Sequence, residues 1–229
     1  CELAPTLGVR EARSADFNAK RMQLLESADA REFYAGQFRQ RQGGTAILNS
    51  PRVYAELVGI QTNLYKNFIV RSWSLLAEHG IAGLLHPDGP YDDANGGKFR
   101  RAIYPRLRAH YHHKNELQLF LDVDHHTDYS INIYAGTSGD IRFRHMSNLF
   151  HPQTIAASIS HNRATEAVPG IKSDDNRWSI RPHGHRVVTV TERELQLFAD
   201  LLEEDGADAK TSRLPQLHSQ ELVGVIAKI

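Results

Sequence analysis

Apolar positions recur along this chain with two different periods, and the change of period marks out its elements. From Leu64 onward, Leu64, Phe68, Ile69, Trp73 and Leu76 fall on one face of a helix that Thr62 or Asn63 caps and Gly80 ends. Ile81-Ala82-Gly83-Leu84-Leu85 then reads as a strand that stops at the turn His86-Pro87-Asp88-Gly89. A helix that feeds a parallel strand places the residues after that strand on the carboxyl edge of a sheet, where α/β proteins bind ligands. His86, Pro87 and Asp88 are therefore the first candidates for a site.

Downstream the pattern repeats. After the loop Asp92 to Gly97, residues Lys98 to Arg108 predict a basic helix with Phe99, Ile103, Tyr104 and Leu107 inward and a kink at Pro105. Glu116 to Leu121 and Tyr129 to Tyr134 read as strands, the second alternating Tyr129, Ile131 and Ile133 against Ser130 and Asn132. The polar run Asp122 to Asp128 joins them, well placed to meet a ligand. A further strand is expected at Ile141 to His145, a helix after Pro152, loops from Ser160 to His185, and a strand at Arg186 to Val190. Thr191 and Glu194 form a capping box for a helix through Leu195, Phe198, Leu201 and Leu202. Ser219 to Ile229 predicts a short apolar helix. Upstream, the sparse apolar residues of 11–42 predict one or two surface helices ending at Gly43-Gly44. The expected organisation is a helical insertion or lid over 1–57, an α/β domain over 58–150 and a loop-rich extension with terminal helices over 151–229.

Composition narrows the function less than the pattern does. Hydrophobic residues make up 41% of 229, enough for a real core, and Lys plus Arg balances Asp plus Glu at 27 each. Any contact with nucleic acid must then come from local patches. Lys98, Arg100 and Arg101 form one, with Arg106 and Arg108 nearby, and Arg181 and Arg186 around Pro182-His183-Gly184-His185 form another. The sole cysteine, Cys1, excludes an internal disulfide and a Cys-rich zinc site and suits a reducing cytoplasm. No apolar stretch approaches membrane-spanning length.

Histidine is abundant at 13, and His110, His112, His113, His125 and His126 crowd together with Asp122, Asp124 and Asp128. Imidazoles and carboxylates together hold zinc or iron, so one reading is a metal-dependent phosphoesterase; the other is a solvated or nucleic-acid-facing rim. Neighbours on a strand point to opposite faces, which keeps His112 and His113 from sharing an ion if that segment is extended. A nucleophile elbow, a phosphate-binding loop and a dinucleotide fingerprint are all absent from the sequence.

One series of segments is distinctive: Asn63-Leu64-Tyr65-Lys66-Asn67-Phe68-Ile69, the helix to Glu78-His79-Gly80, the strand Gly83-Leu84-Leu85-His86-Pro87, the helix after Gly97, and the pair ending Tyr129-Ser130-Ile131-Asn132-Ile133. In this order they resemble the N6-adenine DNA methyltransferases, in particular the large enzymes of bacterial restriction-modification and phage-defence systems. The resemblance is strongest over 58–136 and continues more weakly through Val168 to Lys172, Asn176-Arg177-Trp178 and the helix near Glu204. It implies an α/β, partial Rossmann-like methyltransferase fold of later αβ units plus a terminal β-hairpin, followed by the start of a target-recognition region.

In that family the Leu-Tyr-x-x-Phe helix comes after an Asn/Asp-Pro-Pro-aromatic motif that accepts hydrogen bonds from the target adenine. Asn49-Ser50-Pro51 lacks the Pro pair and the aromatic, and the loop that binds S-adenosylmethionine has no counterpart. The resemblance therefore implies a piece with no catalytic residue and no cofactor of its own, inactive alone, whose complete form uses S-adenosylmethionine. Its implied partners are double-stranded DNA and the missing N-terminal half of the catalytic domain, with no membrane involved. His86, Pro87, Asp88 and Tyr91 would wall the pocket for a flipped adenine. The family's stacking aromatic falls at or near Asp124, so His125 or His126 would supply a ring, while Lys98, Arg100 and Arg101 would meet DNA phosphates. The alternative reading is a stand-alone DNA- or protein-binding module.

Overall fold

Strands β1 (Ile81–Pro87), β2 (Leu107–Lys114), β3 (Asp128–Ala135), β4 (Arg142–Leu149) and β5 (Val188–Thr191) form one mixed sheet in the order β1-β3-β2-β4-β5. The computed structural model describes residues 14–162 and 166–228; Cys1 lies outside them. The chain divides into two units, 1–53 and 54–229, and the sheet belongs to the second. β1 pairs antiparallel with β3, β3 antiparallel with β2, β2 parallel with β4, and β4 antiparallel with β5. The expected parallel neighbour of β1 is thus replaced by an antiparallel one, and the fold is a mixed α/β sheet. The 151–229 segment supplies its last strand.

In the first unit, α1 (Ser14–Leu24) and α2 (Ala28–Leu48) are helical, and α2 runs through Gly43-Gly44 instead of ending there. Each glycine costs roughly 1 kcal/mol against alanine in a helix interior, which weakens this turn without breaking it. No residue of α2 is buried.

The larger core cluster of the second unit lies on one face of the sheet, and a smaller one of Ala109, Tyr111, Met146, Leu149 and Val187 lies on the other. On the first face α3 (Leu64–Leu75), α5 (Gly97–Ile103) and α7 (Glu192–Leu202) bury Ile69, Trp73, Phe99, Ile103, Leu195 and Phe198 against Tyr134, Phe143, Val188 and Val190. The inward positions expected for the basic helix, Phe99, Ile103, Tyr104 and Leu107, are all fully buried. The helix itself is shorter than expected: it ends at Ile103 with Tyr104 as its C-cap, since Pro105 has no N–H to carry the helical ladder on, and the chain is already extended at Leu107. On α3 the expected face splits. Ile69 and Trp73 are buried, whereas Leu64 and Phe68 are 53% and 62% exposed.

A second correction concerns the strand expected at Glu116 to Leu121. The strand is the preceding segment, β2, and residues 115–127 form the connection to β3. The histidines of β2 conceal its alternation, since they are polar in the sequence yet buried in the fold. The capping box of α7 is formed: Glu194 Oε2 accepts from the Thr191 N–H at 2.9 Å, and the Thr191 side chain bonds back to the helix. Three further helices complete the unit, α4 (Gly89–Asp92), α6 (Gln153–Ser160) and α8 (Gln220–Ile226). No described helix is long and apolar enough to cross a membrane.

Candidate functional site: a buried polar row beneath the edge of the sheet

Strand pairing assembles polar residues from four strands on the face that packs against the larger core cluster. His86 opposes Ser130, which opposes His112; Leu84 opposes Asn132, which opposes His110, and His110 is level with His145. Side chains alternate along a strand, so His110 and His112 share this face while His113 points to the other. Every polar member of the row is buried.

Their hydrogen bonds join into one path. Asp88 stands at the N-cap position of the short α4 without a side-chain hydrogen bond to its backbone, and its Oδ1 lies 2.8 Å from His110 Nε2. From Asp88 the path runs through the Ser130 side chain to Asn132, whose Nδ2 donates to Ser130 Oγ at 2.9 Å. Tyr91 donates to Asn132 Oδ1 at 2.6 Å, its hydroxyl is 2.9 Å from that of Tyr134, and Tyr134 is 3.0 Å from His86 Nε2. His86 Nδ1 donates to the Pro87 carbonyl at 2.8 Å. In the other direction, His110 Nδ1 is 2.9 Å from His145 Nδ1.

Protonation is set by the environment of each group. Burial by itself would raise the Asp88 pKa, but the charge and hydrogen bond of His110, with help from His112 and Ser130, outweigh it and hold the carboxyl well below its usual range. The ionised carboxylate accepts from His110 Nε2–H. Burial drives the His145 pKa well down, so that ring is neutral, and one proton serves the contact between the two Nδ1 atoms.

At the other end burial lowers His86 to about 4 and raises Tyr91 and Tyr134. With His86 neutral and its Nδ1 proton on Pro87, Tyr134 donates to His86 and Tyr91 to Asn132. The Tyr91–Tyr134 contact is left with no proton between its oxygens. One further proton on His86 Nε2 would complete the sequence His86 to Tyr134 to Tyr91 to Asn132. The row is a buried hydrogen-bonded path beneath the carboxyl end of β1, and burial keeps its imidazoles at His86 and His145 neutral.

The candidate pocket residues are accordingly divided. Pro87 is exposed at the end of β1, and His125 and His126 are exposed on the 115–127 loop. Pro87 pairs with Tyr129 at the start of β3, which puts that loop at the same end of the sheet. His86, Asp88 and Tyr91 are only 4%, 9% and 0% exposed. They support the edge from within and do not line an opening, because their polar atoms are taken up by the row.

The basic candidates divide too. Lys98, Arg101 and Arg181 are exposed, with Arg101 in an ion pair to Asp208 at 2.9 Å. Arg100 and Arg186 are 1% exposed and cannot meet phosphate as placed. Arg100 donates to the carbonyls of Thr211, Pro90 and Asp93, and Arg186 to those of Ser147, Asn148 and Arg181. Burial lowers Arg186 to about 10, which still leaves it charged at neutral pH.

His112 and His113 diverge as an extended segment requires. His112 Nε2 approaches Asp128 at 3.5 Å, while His113 donates from Nδ1 to the Tyr111 carbonyl and stacks on Tyr129 at 5.1 Å. Among the described residues, the group suited to a metal is Glu116, His125 and His126, whose ligand atoms lie within 4.8 Å of one another. Sequence reasoning missed Ser130, Asn132, Tyr134 and His145. Ser130 and Asn132 did carry a signal, as small polar residues alternating with apolar ones, but that pattern suits a solvent face and a buried polar row equally. The chain matches no protein-family model, and no curated protein resembles it significantly.

Proposed function

We propose that residues 58–150 are the later part of the catalytic domain, and 151–229 the start of the target-recognition region, of an S-adenosylmethionine-dependent DNA adenine-N6 methyltransferase of restriction-modification or phage-defence type. The observation that carries this reading is the open flank at β1. Ile81 and Leu85 are 66% and 55% exposed on this edge strand, and among the described residues its neighbour in the sheet is β3 alone. Long apolar edge strands are hazards that folded proteins cover or charge, and this one carries no charge.

Helix α3 supports the same reading. Leu64, Phe68 and Leu75 form an exposed apolar stripe, beside the buried stripe of Ile69 and Trp73. A helix that is apolar on two sides belongs between two layers. The resemblance supplies the second layer: the half of the domain with the catalytic and cofactor loops, pairing with β1.

In this reading Pro87 and the 115–127 loop face the flipped base, with Phe120, His125 and His126 as the available planar side chains. Lys98, Arg101 and Arg181 are the accessible cations for phosphates. Neither S-adenosylmethionine nor the transferring step involves residues of this chain directly. The test is reconstitution: the chain is combined with a polypeptide bearing the Asn/Asp-Pro-Pro-aromatic and cofactor-binding motifs of the same enzyme, and methyl transfer to adenine in duplex DNA is measured. Transfer by the mixture and by neither part alone is expected. A gene encoding no such motif alongside this segment would refute the reading.

A further inference from the structure

The connection between β2 and β3 is built as a closed loop with two feet. Asn115, fully buried, holds it from inside: its Nδ2 donates to the carbonyls of Phe120 and Val123 at 2.9 and 3.0 Å, and its Oδ1 accepts from the Phe120 N–H at 3.1 Å. At the far foot, Asp124 Oδ1 accepts from the His126 N–H at 2.8 Å. This side-chain turn brings two consecutive rings together, with the centroids of His125 and His126 3.8 Å apart. Glu116 stands on the near foot, its Oε1 3.3 Å from His126 Nδ1.

We propose that Glu116, His125 and His126 form a divalent transition-metal site, with Zn²⁺ as the ion of choice, that ties the two feet of this loop together. One ligand atom from each residue already lies within 4.8 Å of the other two. Ligands at about 2.0–2.2 Å from one ion sit roughly 3–3.5 Å apart, so closure by about 1.5 Å completes the set. Both histidines are exposed and free to rotate that far, whereas Glu116 is held on the buried Asn115 turn. Two imidazoles and one carboxylate select zinc, cobalt, nickel or copper over magnesium or calcium. Three protein ligands leave an outward coordination position for water.

An ion here fixes a loop whose tip is unusually apolar. Leu117, Leu119, Phe120, Leu121 and Val123 are all exposed, Leu121 at 85%. Cross-linking the feet lowers the conformational freedom of the segment between them and sets how it presents these side chains. The buried histidines His86, His110, His112, His113 and His145 are not rivals for the ion, since each is at most 4% exposed and closed off from solvent. Nothing in this inference depends on DNA or on the methyltransferase reading.

Titration of the full chain with Co²⁺ is expected to develop visible absorption that saturates at one equivalent and is abolished by Zn²⁺. His126→Ala and Glu116→Gln should each weaken binding by at least about tenfold. Both should also remove the protection that Zn²⁺ gives the Leu117 to Val123 segment against chymotrypsin, with the urea midpoint of the metal-free chain unchanged. No saturable equivalent, or equal affinity in the parent chain and both variants, overturns the proposal.

Discussion

The Asp88 carboxylate and the His110 ring meet at 2.8 Å inside the sheet, joining the turn after β1 to the middle of β2. Asp88 is the branch point of the polar row, since it also takes the hydrogen bond from Ser130. Asp88→Asn keeps the size of the side chain but removes the charge that His110 and Ser130 are arranged around. A hydrogen bond to a charged partner contributes about 1.5–3 kcal/mol, and the loss should fall in that range. Urea unfolding of the variant measures it; a change under about 0.5 kcal/mol would show that the pair contributes no net stability.

The buried imidazoles make the fold acid-labile in a defined window. Burial lowers both His86 and His113 to about 4, from an ordinary value of 6.5. Between those limits the unfolded chain binds protons that the folded chain refuses, so stability is fully present above about pH 6.5 and falls as pH drops toward 4. Each group is worth roughly 3 kcal/mol across the window at about 1.4 kcal/mol per pH unit. Asp88, held below the usual carboxylate range, weakens the fold only at still lower pH. Urea midpoints measured across this window should decline steadily, and His86→Gln should reduce the slope by about one proton. A flat profile between these limits would mean that the rings are protonated in the fold.

Arg100 separates what the chain's chemistry suggests from what its packing requires. On the sequence it belongs to a basic helix with Lys98 and Arg101, and nothing marks it as different. In the fold its guanidinium is enclosed and bonded to three carbonyls, one of them Thr211 from the far end of the chain. Arg100→Lys keeps the charge but loses the fork that reaches separate acceptors. It should lower the unfolding free energy by about 2–3 kcal/mol through unpaired buried carbonyls. Lys98→Ala and Arg101→Ala should leave stability within about 0.5 kcal/mol. If DNA binding is detected, these two variants should weaken it and reduce its salt dependence.

Legibility in the sequence divides along the same line. Segments with a clean period, such as the inward set Phe99, Ile103, Tyr104 and Leu107 or the Thr191 and Glu194 capping box, appear where the pattern places them. β2 was hidden because Leu107 to Lys114 carries three histidines, which read as polar although each is buried by partners in other strands. Residues 116–121 read as a strand for the opposite reason: Leu117, Leu119 and Leu121 alternate with Phe120 among them, all apolar, yet all four are exposed. Local period reports which side chains could be buried together. It cannot report a polar row whose members come from four strands.

The exposed stripe of α3 gives the sharpest separation between a folded unit and a folded unit that needs company. Phe68 is 62% exposed and Leu85 55%, so neither contributes much to the core of residues 54–229. Phe68→Glu and Leu85→Lys should therefore leave the urea midpoint of the isolated chain within about 0.5 kcal/mol of its original stability. Both place charge on a surface suited to an apolar partner, and should reduce self-association of the isolated chain, measured by sedimentation. In the reconstitution assay the same variants should abolish methyl transfer by preventing assembly, since an unpaired charge buried at an interface costs several kcal/mol. Full transfer by Leu85→Lys would show that the open side of β1 is not the joining surface, and the case for a second half of the domain at that edge would fall with it.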